Sequence, residues 1–304
     1  KIAGYPCIAK DVVRYTGDIV AVVVADSRYQ AYDALDLIEV DYDPLPTVID
    51  PEAASQSGAP QLHDDIDGNQ AFHWTVSGGD VDAAFAEAET NGVIIKDRIL
   101  QQRLIPNAME TRSAVAQYNR ASGELTLWNT TQNPHIARFL CSVVTGVPED
   151  KLRVIAPEVG GGFGSKCNVW AEEALACFAA MDLKRPIKWI EDRRENFVAA
   201  IQERDQFWEV EIAVDQDAQI IGVRGDMLHD QGAYTLLHLH VPHNSAIAVP
   251  GPYKVPHYKV RTRVIETNCV GTIPVRGAGY PEGNFVMERL LDEVARRLEL
   301  DRSE

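Results

Sequence analysis

The alternation of apolar and polar positions changes period several times along this chain, and each change predicts an element. In GDIVAVVVAD, residues 19–24 form a β-branched run closed by glycine and aspartate, which predicts a buried strand. SRYQAYDALDLI then places Ala31, Ala34, Leu35 and Ile38 at helical spacing, and EVDYDPLP returns to an extended alternation ended by prolines. Together they predict a compact β-α-β piece. Residues 53–72 follow neither period and are rich in Gly, Ser and Asp, the composition of a linker beside a domain boundary.

Beyond it, GDVDAAFAEAET has a short helical pattern with an acidic first turn, and NGVIIKDRIL is extended. SAVAQYNRASGELTLWNTTQ alternates on both sides of a Ser-Gly turn, the pattern of a hairpin. From Pro134 to Thr145 the spacing predicts a helix with Ile136, Phe139, Leu140 and Val143 on one face and Gly146 as its stop. KLRVIAPEV is a strand that runs into a glycine-rich loop, and NVWAEEALACFAAMDL is a helix with Val169, Ala174, Cys177 and Met181 toward its buried face. FWEVEIAVDQDAQIIGVRGDM predicts two strands joined by a polar turn, and HYKVRTRVIETN another. The last stretch repeats Val286, Leu290, Val294 and Leu298 at helical period. Strands and helices mix without strict alternation, so the predicted class is α+β rather than a doubly wound sheet.

The 304 residues are 45% hydrophobic and 24% charged, an ordinary globular balance that points to two domains. A formal net charge of −16 argues against a nucleic-acid or anionic-membrane surface, which would repel the chain. No apolar run approaches the roughly 18 residues of a membrane span. The five cysteines (Cys7, Cys141, Cys167, Cys177, Cys269) are scattered and never spaced C-x-x-C, which suggests neither a disulfide framework nor a zinc or iron-sulfur site and fits a reducing, cytoplasmic setting. His238, His240 and His243 have an alternating, metal-like spacing, but no Cys or carboxylate shares the segment, and a polar loop or strand face is the expectation. Asp230, before a glycine turn, reads as an Asx-type turn residue.

The chemical question sits in VGGGFGSK, residues 159–166. Strand, glycine loop and helix together form the usual context for phosphate binding. Both common fingerprints fail: the P-loop needs Gly-Lys-Ser/Thr, whereas Lys166 stands between Ser165 and Cys167, and the dinucleotide pattern needs glycine where Ser165 stands. A row of backbone N–H groups remains, able to hold a polar or anionic cofactor in another way. The plain alternative is a tight strand-to-helix turn.

Read together, RLIPNAMETRSAVAQY, TTQNPHIARF, APEVGGGFGSK and IPVRGAGYPEGNFVMERLLDEVA resemble the molybdopterin-binding large subunit of the molybdenum hydroxylases, the family of xanthine dehydrogenase, aldehyde oxidoreductase and aerobic carbon monoxide dehydrogenase. YTGDIVAVVVADSRYQAYDALDLIEVDYDPLP resembles the latter part of that family's α/β hammerhead domain. The resemblance implies a partial hammerhead over 1–60, a linker over 61–75 and the N-terminal half of the molybdopterin-binding domain over 76–304. It implies that Gln132 lies at an oxygen ligand of molybdenum, that the Phe163 backbone meets the metal's ligand sphere, and that Arg276 belongs to the active-site loop. Gly161, Gly162, Gly164, Gly277 and Ala278 would line the cofactor with them. None of these would bind the metal directly, since it hangs from the pterin. Taken singly, Gln132 would more often cap the Pro134 helix, Phe163 would belong to a core, and Arg276 would form a surface ion pair.

The implied activity is oxidative hydroxylation with water as oxygen source. The cofactor would be molybdopterin, in its cytosine dinucleotide form, with 2Fe-2S and FAD carried on a small and a medium partner subunit in a dimer of heterotrimers. Departures narrow the substrate. Cys167 stands where the xanthine enzymes often have glutamate and reads as a small buried side chain. Asn244 is nearest by spacing to their purine-holding arginine, and Ala278 replaces an aromatic, so xanthine is disfavoured. Gly277-Ala278-Gly279 follows Arg276 without the cysteine of the carbon monoxide dehydrogenases, which turns the expectation to an aldehyde or an N-heterocycle. The family's catalytic glutamate lies beyond Glu304, so the chain reads as an internal fragment. The competing reading is a non-catalytic fragment or split subunit that needs a complementary chain.

Overall fold

A computed structural model describes residues 2, 4–236 and 239–303. In chain order the strands are β1 (Gln70–Gly78), β2 (Gly92–Gln101), β3 (Ser113–Asn119), β4 (Glu124–Asn129), β5 (Leu152–Ile155), β6 (Ile187–Ile190), β7 (Gln206–Asp215), β8 (Ile220–Gly232) and β9 (His257–Glu266). The helices are α1 (Arg28–Leu35), α2 (Pro51–Ala54), α3 (Val81–Asn91), α4 (Pro134–Thr145), α5 (Ala171–Leu183), α6 (Arg193–Ala199), α7 (His240–Ala248) and α8 (Tyr280–Leu298). The class is α+β. The chain divides into two compact units, one of Thr47–Leu104 with the segment from Gln202 onward, the other of Gly4–Pro46 with Ile105–Ile201.

The first unit is built on a five-stranded sheet, ordered β1-β9-β8-β7-β2, in which only the β8–β9 pair is parallel. Period-two alternation separates its faces. Trp208, Val210, Ile212, Met227 and Val260 point to one side, where the 3.6-period stripe Val286, Leu290, Val294 of α8 covers them. On the other face Lys96 opposes Glu211, Glu211 opposes Arg224, and Asp226 opposes Arg261, a run of opposite charges beside the part that α3 covers with Val81, Phe85 and Ala88.

In the second unit β5, β4, β3 and β6 form a four-stranded sheet, with β3 and β4 as the expected hairpin. Helices α4 and α5 seal it, burying Ala114, Ala116, Leu125 and Leu127 against Cys141, Cys177 and Ala180. Gly146 ends α4 in the left-handed conformation, φ 74°, as its sequence position predicted.

Several expectations need correction. Residues 19–24 form no strand: Val20, Val22 and Val24 are exposed, and the backbone bond given to the run is from Ala9 N–H to the Ile19 carbonyl. β-branched composition extends the backbone, but a strand also needs a partner ladder, which local sequence does not supply. The extended stretch of EVDYDPLP likewise pairs with nothing among the described residues, so α1 is flanked by unpaired chain and buries none of its residues. In α4 the stripe Ile136, Phe139, Val143 is exposed, and Ala137 and Cys141 face the sheet instead, because small side chains let the helix approach it closely. His240 and His243 lie on helix α7 rather than a loop or strand face, and His238 falls outside the described residues. The stretch 61–75, expected as a linker, is gathered by Asn69, whose amide donates to the carbonyls of Ala54 and Pro60, and runs into β1. Among the described residues no helix is long and apolar enough to cross a membrane.

Candidate functional site

In the second unit β5 delivers the chain into the glycine loop, and left-handed backbone at Gly161 (φ 95°), Phe163 (φ 53°) and Gly164 (φ 111°) folds it back on itself. The Ser165 N–H and hydroxyl both donate to the Gly162 carbonyl at 2.9 Å, and the Cys167 N–H to that of Gly164 at 2.9 Å. Gln132 locks this turn from the side. Its N–H donates to the Lys166 carbonyl (2.8 Å), and its side-chain oxygen accepts from the Gly164 N–H (2.9 Å). A Cβ at Gly162 would overlap that amide, meeting its Cδ at 2.6 Å, so glycine is required by contact here rather than by φ. The N–H groups of Gly162 and Phe163 and the amide nitrogen of Gln132 take no partner among the described residues.

The single-residue alternatives are not realised. Gln132 does not cap α4, whose N-cap is Asn133 without a side-chain bond. Phe163 is 47% exposed rather than part of a core. Cys167 is half-buried, and burial pushes its thiol up.

Glu110 closes the loop at both ends. One carboxylate oxygen accepts from the Gly160 N–H (2.8 Å) and from the ammonium of Lys166 (2.8 Å), which is buried at 2% exposure. Burial works to raise the Glu110 carboxyl, but the bonds from Lys166 and Gly160 outweigh it and hold it below the ordinary range. Neither residue stood out in the sequence: Lys166 entered only to reject the P-loop, and Glu110 lies fifty residues away. Glu110→Ala is expected to destabilise the protein by about 3 kcal/mol, since it strands a buried ammonium. Lys166→Met should be tolerated far better and should rescue Glu110→Ala in the double variant. Urea midpoints of the four proteins check this, and simple additivity would refute the clasp.

Beneath the loop Trp170 donates its indole N–H to the Ser165 carbonyl (3.2 Å). The Arg112 guanidinium stacks 4.6 Å from the Trp170 ring and bonds Glu191 (Nε to Oε1, 2.9 Å) and Glu172 (Nη2 to Oε1, 3.0 Å).

In the first unit Arg276 opens the turn into α8. Gly277 (φ 111°), Ala278 (φ 50°) and Gly279 (φ 96°) are all left-handed, and a Cβ at Gly277 would meet the Pro281 ring at 2.6 Å. The Ala278 N–H returns to the Val275 carbonyl (2.8 Å), and Asn244 on α7 donates its side-chain amide to the Ala278 carbonyl (2.9 Å). Arg276 is exposed and enters no ion pair among the described residues. Asp230 does make the Asx bond, to the Gly232 N–H (2.8 Å), but is fully buried and also pairs with Arg103 (2.7 Å). Gln132 and 161–164 thus converge within one unit, while Arg276, Gly277 and Ala278 form a second cluster within the other.

A family model for the molybdopterin cofactor-binding domain matches residues 62–304, and one for the aldehyde oxidase and xanthine dehydrogenase a/b hammerhead domain matches 3–46. The large subunit of nicotine 6-hydroxylase from Paenarthrobacter nicotinovorans is 36% identical over 304 residues, 97% of this chain and 36% of that one. The carbon monoxide dehydrogenase large chain of Afipia carboxidovorans is 35% identical over 311 residues, 97% of this chain and 38% of that one. The crystal structure of quinoline 2-oxidoreductase from Pseudomonas putida 86 matches with a TM-score of 0.92 and 36% identity, over 98% of this chain and 38% of that one. The chain spans little more than a third of the length of these three relatives. With a hammerhead match followed by a cofactor-domain match over most of its length, the chain belongs to the molybdopterin-binding large subunits of the molybdenum hydroxylases.

Proposed function

We propose that this chain is part of the catalytic large subunit of a molybdenum hydroxylase that oxidises an N-heterocycle or an aldehyde with water as oxygen source. The observation that carries the reading is the pair formed by Gly162 and Gln132. The amide occupies the space of the missing Cβ, and the loop N–H groups and the amide nitrogen are left free to donate. Neutral donors at a backbone without side chains fit a bulky anionic cofactor lying close to the chain. When bound, molybdopterin supplies the redox-active, Lewis-acidic metal of the oxidation.

The chain's own part is to hold and orient. Gln132 would offer its neutral amide nitrogen, which cannot protonate an oxygen it bonds, and Gly162 and Phe163 their N–H groups, to the cofactor. Arg276 offers a fixed cation to an anionic group of cofactor or substrate, on a turn with Gly277 and Ala278 that leaves room for a ring. The names of nicotine 6-hydroxylase and quinoline 2-oxidoreductase favour an N-heterocycle over an aldehyde. The cytosine dinucleotide form of the pterin, a small 2Fe-2S and a medium FAD subunit, assembly as a dimer of heterotrimers and a cytoplasmic setting complete the proposal.

Native purification followed by elemental analysis tests it: about one molybdenum per large subunit is expected, without copper. Arg276→Ala should then lower turnover by about 10²-fold with molybdenum content unchanged. A metal-free native protein would favour the split-subunit reading, which the one-third coverage keeps in view. Unchanged turnover would remove Arg276 from the site.

A further inference from the structure

The segment that presents Arg276 rests on two buried carboxyls that the proposed chemistry does not use. Glu203 exchanges backbone hydrogen bonds with Leu104, 3.1 Å each way, and the neighbouring Gln202 carbonyl accepts from the Ile273 N–H at 3.0 Å. This brings the Glu203 carboxyl to Val275, whose N–H donates to its Oε1 at 2.6 Å. Glu282, in the first turn of α8, follows the 276–279 loop and takes the Arg204 guanidinium on its own Oε1. The same guanidinium nitrogen stands 3.6 Å from Glu203 Oε2. Both carboxyls are wholly buried, and in each the Oε2 atom has no hydrogen-bond partner.

Two carboxylates and one guanidinium would leave a negative charge uncompensated where water does not reach. Retaining one proton removes that charge. Other nearby charges are engaged elsewhere: Arg103 is held by Asp205 and Asp230, and Gln101 meets only the Glu282 carbonyl. The backbone is strained on both sides of the pair, with left-handed φ at Arg204 (70°), Asp205 (60°) and Ala278 (50°), the kind of conformation that persists only where surrounding contacts enforce it.

We infer that Glu203 retains a proton beside the Glu282 carboxylate, and that this proton positions the 276–279 loop by sparing the buried site, to which Val275 is anchored, an uncompensated charge. When it leaves to solvent, the site gains one buried negative charge next to Glu282, which is relieved by opening to water, and the anchor of Arg276 loosens. Both are positioning residues, acting through the loop, and the inference rests on the proposed role of Arg276. Burial first, and the charge of Glu282 second, push the Glu203 carboxyl up to about 8, against the opposing effects of the Val275 N–H and Arg204. Because that value lies above the ordinary 4.5, the support is complete at acid pH and is lost as pH rises through about 8.

The test is amide hydrogen exchange over residues 273–280 in the natively assembled protein, corrected for intrinsic rates. In the wild type, protection should fall about tenfold or more from about pH 6.5 to about pH 9.5 with a midpoint near 8, and in Glu203→Gln it should stay within about twofold. A flat wild-type profile, or the same step in Glu203→Gln, overturns the inference. If Glu203→Gln does not accumulate, Glu282→Gln replaces it with the same two outcomes, and without either variant the wild-type profile alone decides. A step in exchange with no effect of Arg276→Ala on turnover removes the role of Arg276 and leaves the pair standing. Loss of turnover in Arg276→Ala with flat exchange does the reverse.

Discussion

Alanine at position 162 is expected to lower turnover of the intact enzyme by about 10²-fold, close to the effect of deleting the Gln132 side chain, although it adds one carbon and touches no charge. The added Cβ would overlap the Gln132 amide, with Cδ at 2.6 Å and Cγ at 2.8 Å. Gln132 must then leave, abandoning the Gly164 N–H that it accepts at 2.9 Å. The loop and its free donors move by a distance that binding and orientation do not tolerate. Because the clash is with Gln132 itself, Gln132→Ala removes it. The double variant should therefore be no worse than Gln132→Ala alone, a strongly non-additive cycle. Gly78→Ala, where a Cβ meets nothing within 4 Å, is the control and should be neutral. Steady-state rates of the set decide the matter: full activity in Gly162→Ala, or losses that multiply in the double variant, would sink the assignment.

Arg112→Met should be the most destabilising single change in the second unit, costing about 3–5 kcal/mol. Arg112 is 3% exposed and holds two carboxylates, Glu191 at 2.6 Å and Glu172 at 3.0 Å, between the faces of Trp170 and Trp189. Its removal strands Glu191, wholly buried, with hydrogen bonds from the Arg112 backbone (3.0 Å) and Asn196 (2.9 Å) but no counter-charge. Arg112→Met combined with Glu191→Gln should recover much of the loss at neutral pH. Urea unfolding of the single and double variants checks this, and no recovery in the double variant would mean that packing against the tryptophans, rather than charge, is what Arg112 contributes.

How much of this was readable in advance depended on how local the cause was. Gly146 takes left-handed backbone at the end of α4, visible as a single residue at the right offset. The stripe of α8 and the β3–β4 hairpin declared themselves by period. The glycine loop was visible as a composition, and the motifs around Gln132, Phe163 and Arg276 were visible as a resemblance. The failures share one cause. Residues 19–24 have every local property of a strand, yet a strand is made by its partner; α4 shows its most apolar stripe to the outside because the sheet accepted its small residues instead.

The sequence by itself therefore determined most of the helices and strands, that the class is α+β, the family, and the residue types at the loop. Only the tertiary structure decided why glycine must stand at 162, that Glu110 and Lys166 clasp that loop, that Arg112 is buried between two acids, and that Arg204 gathers Glu203 and Glu282 beside the segment of Arg276. Each of these joins residues tens of positions apart, and the free energy of a buried charge or a filled Cβ site depends on what folding places beside it, which no local pattern records.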